Sequence, residues 1–324
     1  MRIRIEPFNP QWIPKAAELA ARTWQREREA FPLLPGLEDV AFDQEIAGIC
    51  ADGMPMFAAW HGDQLVGYLG GWSVDNFFST HKGVYMPSWA HAAEGEDREA
   101  IVFALYTAAA GAWVARGHLS HTVTLLAHDE EALRLWGWLG FGPRCVDAMR
   151  LLEPPVGLSS TNVEARRATS DDIPLILPLH QAHCGYYANA PLFMPNVEME
   201  DAAGLASWME KPGNALWVAL RGGEPLCYMM TTDHGMSHAA DDAGTVNVCG
   251  AFTSPQARGA GAATALLAAI VRWAKESGFE RLGVDYESFN PAGGRFWRRH
   301  FTAYTSSMHR MVDDRILDVA ADGK

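Results

Sequence analysis

The chain repeats itself at a spacing of about 160 residues, and this constrains its fold more than any other feature. Ile13-Pro14 recurs as Ile173-Pro174, Gly62–Tyr68 as Gly222–Tyr228, and Trp113 as Trp273. The offset then grows by one, pairing Gly117 with Gly278 and Trp136 with Trp297. Ordered matches at a nearly constant offset imply two copies of one domain. The 324 residues suit two domains of ordinary size. The segment 154–161, rich in Pro, Gly and Ser, reads as the linker between copies at 1–153 and 162–324.

Each copy alternates strand and helix patterns, an α/β order with a mixed sheet covered by helices. In the second copy, strands are expected at 163–167, 216–220, 225–231, 245–253 and 282–286. A long helix is expected over 261–277 and a short one over 291–300. Acidic residues number 39 against 26 basic ones, a net charge of −13 that disfavours a nucleic-acid partner. The first 160 residues carry 20 acidic and 12 basic residues (−8) and the rest 19 and 14 (−5). Five scattered cysteines without a C-x-x-C pair fit a reducing cytoplasm, and no apolar run is long enough to span a membrane. His180, His183 and Cys184 share one helix without a distant fourth ligand, so no metal is expected there.

The informative stretch is Thr253-Ser-Pro-Gln-Ala-Arg-Gly-Ala-Gly-Ala-Ala-Thr264, between a strand and the longest helix. Gly259 and Gly261 let backbone amides approach a ligand, the helix start adds partial positive charge, and Arg258 adds a full one. That is a diphosphate cradle without the Lys of a P-loop. A dinucleotide turn competes, with Asp285 at the ribose-binding distance, but Thr264 stands where its third glycine belongs.

Gln256-x-x-Gly259-x-Gly261 resembles the acetyl-CoA signature of the GNAT superfamily of N-acetyltransferases. Asn290–Phe301 and 129–141 resemble the family's later helix, so the resemblance covers nearly the whole chain as a tandem GNAT protein. It implies acetyl-CoA as co-substrate, held by Phe252, Thr253, Gln256, Arg258, Gly259, Ala260, Gly261, Ala262 and Asn290. It also implies transfer of acetyl to the amine of a small molecule in the second copy. Glu287 is the first choice of base, Asp285 the second, and Asp233 with His234 the third. The family's Tyr acid is Trp297 here, which leaves Tyr304 as the substitute. The acceptor is expected among Tyr186, Tyr187, Asn189 and Phe193. In the first copy Arg98 survives, but Glu99 and Ile101 replace the glycines, so Glu99 is expected to plug that cradle and leave the copy structural. A non-catalytic acetyl-CoA sensor or scaffold remains the alternative, and monomer and homodimer both stay open.

Overall fold

The structure is a computed structural model that describes residues 3–36, 40–157, 162–195, 200–235 and 237–321. The last four positions of the expected linker, 158–161, lie outside the described residues. The chain divides into two compact units: residues 1–145 together with 304–324, and residues 146–303. The division therefore exchanges end segments relative to a cut at the linker: the chain's last strand belongs to the first unit, and residues 146–153 belong to the second.

The first unit contains β1 (Arg4–Pro7), α1 (Ile13–Ala30), α2 (Phe42–Asp52), β2 (Phe57–His61) and β3 (Gln64–Leu69). It continues with β4 (Trp72–Val74), β5 (Lys82–Met86), β6 (His91–Ala93), α3 (Arg98–Val114), β7 (His118–Leu126) and α4 (Glu130–Trp138). Strand β8 (Gly142–Leu151) starts in this unit and runs on into the next. Strands β1-β2-β3-β6 are hydrogen-bonded in that order, and β4-β5-β7 form a separate ladder. Here one long strand has broken into two, twice: after β3 at Gly70-Gly71, and between β5 and β6 at Pro87. A proline has no N–H to give to a ladder, and a Cβ at Gly71 would lie 2.7 Å from the Tyr85 carbonyl oxygen.

The second unit contains β9 (Glu164–Arg167), α5 (Ile173–Tyr187), α6 (Ala202–Glu210), β10 (Ala215–Arg221), β11 (Glu224–Thr232) and β12 (Thr245–Thr253). It ends with α7 (Ala262–Glu276), β13 (Arg281–Glu287) and α8 (Pro291–His300). The last elements are β14 (Thr302–Met311) and α9 (Ile316–Ala321). Residues 305–311 of β14 pair antiparallel with β7, from Thr305 opposite Leu126 to Met311 opposite Ser120. In the second unit β9, β10, β11 and β12 are antiparallel neighbours, and β12 lies parallel to β13. This mixed sheet has helices on both faces, as the element order predicts. On one face α7 packs Leu266, Leu267 and Ile270 against Trp217, Val246 and Leu282. On the other, α5 and α6 pack Ile176, Leu179 and Leu205 against Val218, Tyr228 and Phe252. Expected and observed elements agree closely here; β12 and α8 have the expected limits. Strong alternation and clear caps, such as the Asn290 side chain accepting from the Gly293 amide at 3.0 Å, explain that agreement.

Candidate active site

The site of the second unit starts where β12 and β13 part. Their pairing runs from Thr245 opposite Arg281 to Val248 opposite Val284 and goes no further, although both strands continue. A shift of register between Met230 and Thr231 on β11 skips Cys249 and bends β12 at this point. The result is a wedge between the two parallel strands, with Phe252 and Thr253 on one wall and Asp285 and Glu287 on the other.

Beyond β12 the chain turns through Pro255–Ala257 and enters α7. Gly259 and Gly261 both take left-handed backbone, at φ 79° and 82°. Other residues tolerate this conformation poorly, which is why glycines stand here. Gly261 caps the helix without any side-chain hydrogen bond, so the first amides of α7 keep their partial positive charge for a ligand. Arg258 is exposed, its guanidinium 5.4 Å from the ring centre of Tyr186 and 5.9 Å from that of Phe252. The Tyr186 hydroxyl donates to Asn290 Oδ1 at 3.1 Å, joining α5 to the cap of α8. Gly259, Ala260, Gly261, Ala262, Arg258, Phe252, Asn290 and Tyr186 thus form one group around the wedge. Gln256 lies exposed in the preceding turn, and the Thr253 hydroxyl is turned to Cys227 Sγ at 3.2 Å.

The acidic wall is electrostatically unusual. Solvent reaches Asp285, yet protein encloses it on several sides. Burial first, then the like charges of Asp147 and Glu287, raise its pKa to about 7. Asp285 and Glu287 share a strand face by alternation, opposite the face on which Leu282, Val284 and Tyr286 are buried. Beside them Cys249 is exposed, though crowding by protein and the Asp285 charge push its thiol up to about 12.

Several expected residues fall elsewhere. Tyr304 belongs to the first unit, is 2% exposed, and stacks on Phe31 at 6.4 Å. Its strand pairs with β7, a long-range choice that local sequence does not encode. Tyr187 lies on the same helix turn as Tyr186, its ring 5.2 Å from that of His183. Asn189, by contrast, donates to the Gly185 carbonyl at 2.6 Å and closes the end of α5. Phe193 is 71% exposed. Asp233 and His234 follow the far end of β11, which pairs with Asn247 rather than with the wedge end of β12. Trp297 is buried beside Phe301 in the sheet core, where its N–H serves no acid role.

The first unit places the corresponding residues in a closed arrangement. Arg98 donates to Asp129 Oδ1 at 2.8 Å, with a second bond to Oδ2, and to Glu131 at 3.1 Å. Asp129 occupies the position of Asn290. Burial pushes its carboxyl up, but the bonds and charge of Arg98 win and hold it below the usual carboxylate value. Across the gap between β6 and β7, the His91 ring bonds to the Thr124 carbonyl at 2.9 Å, where the second unit has Ala251. Burial lowers the His91 pKa to about 4, so it bridges as a neutral ring. The space left there is lined by Tyr68, His91, Arg98, Asp129 and Trp136. The expected plug was Glu99, but Glu99 faces outward, accepting from Arg134 at 3.4 Å. Arg98 with Asp129, and His91, do the closing instead.

Comparison with known proteins agrees with this geometry. Residues 182–301 match the family model described as acetyltransferase (GNAT) family. A GCN5-related N-acetyltransferase from Sphaerobacter thermophilus is similar over 95% of each chain, with 14% identity and a TM-score of 0.56. The glucosamine N-acetyltransferase region of a fungal multi-domain GH3 beta-N-acetylglucosaminidase is similar over 95% of this chain and 38% of that one, with 10% identity and a TM-score of 0.52. No curated protein matches the sequence. The match to the GNAT family model is thus confined to 182–301, and the fold of the chain is that of the solved GCN5-related N-acetyltransferase.

Proposed function

We propose that this chain, with its GNAT domain in the second unit, moves an acetyl group from acetyl-CoA to the amine of a small molecule at the wedge between β12 and β13. The observation that carries the reading is the pair of left-handed glycines at an uncapped helix start, beside Arg258 and an open wedge. The first unit also has an uncapped helix start and an arginine, Arg98, but it lacks the glycines, and Asp129 holds Arg98. Arg258 and the amides of 259–262 would hold the diphosphate, and Phe252, Thr253 and Asn290 the arm that leads to the thioester. Bound there, acetyl-CoA supplies an activated acyl group; the protein supplies position, a base and backbone donors at the end of β12.

Asp285 takes precedence over Glu287 as the base. An ammonium of pKa near 10 must lose a proton before it attacks, and a carboxyl held near 7 accepts it far better than an ordinary one. Glu287 then acts through its charge on Asp285. The absence of a tyrosine at Trp297 leaves the sulfur to depart as a thiolate or to take its proton back from Asp285. Trp297 also keeps a second reading in view, in which the unit binds acetyl-CoA as a sensor or scaffold without turnover.

Release of CoA thiol from acetyl-CoA, measured over a panel of small amines, separates the two. The enzyme reading predicts amine-dependent thiol release that falls at least tenfold in Arg258→Ala. Tight binding without release for any amine contradicts it and supports the sensor.

No helix among the described residues is long and apolar enough to cross a membrane.

A further inference from the structure

One polar network in the second unit remains unexplained by this chemistry. Tyr228 on β11 is fully buried, and its hydroxyl meets two imidazoles: His183 Nδ1 at 2.7 Å and His180 Nδ1 at 3.0 Å. A phenol has one proton to donate, so the two rings need opposite tautomers. One must accept from Tyr228 through a bare Nδ1, and the other must donate its Nδ1–H to the phenol oxygen. Burial lowers both pKa values, that of His183 to about 4, so both rings are neutral near pH 7. A neutral ring can accept a proton at one nitrogen while giving one up at the other.

The two ends of the network differ. His183 stacks on Phe252 at 5.4 Å and is partly exposed, which places it at the wall of the wedge. His180 is 7% exposed, and its Nε2 is buried with no hydrogen-bond partner. The surrounding groups are Cys184, Cys227, Cys249 and Tyr187. The three thiols are all raised above their ordinary pKa and are therefore neutral. The carboxylate that acts on His180 is Glu200, which opposes the effect of burial. The network thus runs from the wedge, through a neutral envelope, toward a negative charge.

The first unit provides an internal control. Its equivalent tyrosine, Tyr68, is equally buried but donates to the Trp89 carbonyl at 2.7 Å. The positions of His180 and His183 hold Ala20 and Thr23 there, and the Thr23 hydroxyl bonds within its own helix. A buried tyrosine at this point of the fold is satisfied by one backbone carbonyl. Two histidines occur only in the copy with the open cradle.

We propose that His183, Tyr228 and His180 form a proton relay that carries a proton from the acceptor nitrogen in the wedge toward Glu200. This rests on the acetyl-transfer reading. As the N–C bond forms and the C–S bond breaks, a proton leaves the nitrogen for His183 Nε2. The Nδ1 proton of His183 passes to the Tyr228 oxygen, whose own proton passes to His180 Nδ1. His180 then holds the released proton as an imidazolium in the field of the Glu200 carboxylate. The proton that Asp285 took from the ammonium returns to the sulfur. One amide, one thiol and one released proton balance the reaction. His183 is the catalytic member; Tyr228 and His180 act through it.

The test has two parts on the full chain. Nitrogen-15 NMR at pH 7 should show His183 as the Nδ1–H tautomer and His180 as the Nε2–H tautomer. The reverse assignment, identical tautomers, or a charged ring overturn the relay without reference to turnover. In kinetics, Tyr228→Phe and His180→Gln should each lower kcat at least tenfold while KM for acetyl-CoA stays within twofold. The curved dependence of rate on deuterium content should become linear. Because His180→Gln keeps a hydrogen-bonding group beside Tyr228, it also guards against a simple folding defect in Tyr228→Phe. Unchanged kcat and unchanged curvature in both variants overturn the relay. A wild-type chain that releases no thiol with any amine instead contradicts the acetyl-transfer reading, a separately visible result.

Discussion

Asp285 is the side chain on which the proposed chemistry rests. Its carboxyl is raised to about 7 by enclosure and by the neighbouring charges of Asp147 and Glu287. Below that pH it holds a proton and cannot accept another; above it the base is free. The rate at saturating acetyl-CoA should therefore rise with pH through about 7. Asp285→Asn should remove that rise and lower kcat by roughly 10²–10⁴-fold, the usual worth of a positioned base. Glu287→Gln should keep the rise but move it to lower pH, because one of the charges that lifts Asp285 is gone. A pH-rate profile that keeps its rise in Asp285→Asn and loses it in Glu287→Gln assigns the base to Glu287 instead.

The element that defines the second unit is the entrance to α7. Two left-handed glycines turn the chain so that the helix start faces the wedge, and no side chain competes for its amides. A Cβ at Gly259 would meet nothing within 4 Å, so the cost of Gly259→Ala is backbone strain alone, about 1–2 kcal/mol. The loop can relieve that strain by abandoning the cradle. Acetyl-CoA binding measured by calorimetry should therefore weaken about tenfold or more while the melting temperature changes little. Unchanged affinity would show that the loop conformation is not what binds.

At this scale sequence is a good guide wherever the signal is local. The glycines placed the cradle, and the Asn290 cap placed α8. The signals that failed are the long-range ones. Nothing in residues 302–311 says that their partner is β7, where Tyr304 stacks on Phe31. Nothing near Arg98 marks Asp129, 31 residues on, as the group that takes it. The meeting of His180 and His183 with Tyr228 crosses 45 residues or more and is equally invisible, although the spacing of the two histidines on one helix face was legible.

For the whole molecule, the two copies of one fold differ in what fills the gap between two strands. In the second, Ala251, Asn290 and two glycines leave it open. In the first, His91 reaches across to Thr124, and Arg98 is held by Asp129. The −13 charge of the chain says little about its substrate; the position of single carboxylates, Asp129 in one unit and Asp285 in the other, says more. The central claim is one cradle per chain, in the second unit. Calorimetric titration of the full chain with acetyl-CoA tests it most directly. The predicted result is one equivalent bound, lost in Arg258→Ala and kept in Arg98→Ala. Two equivalents, or binding that survives Arg258→Ala and disappears in Arg98→Ala, would contradict it.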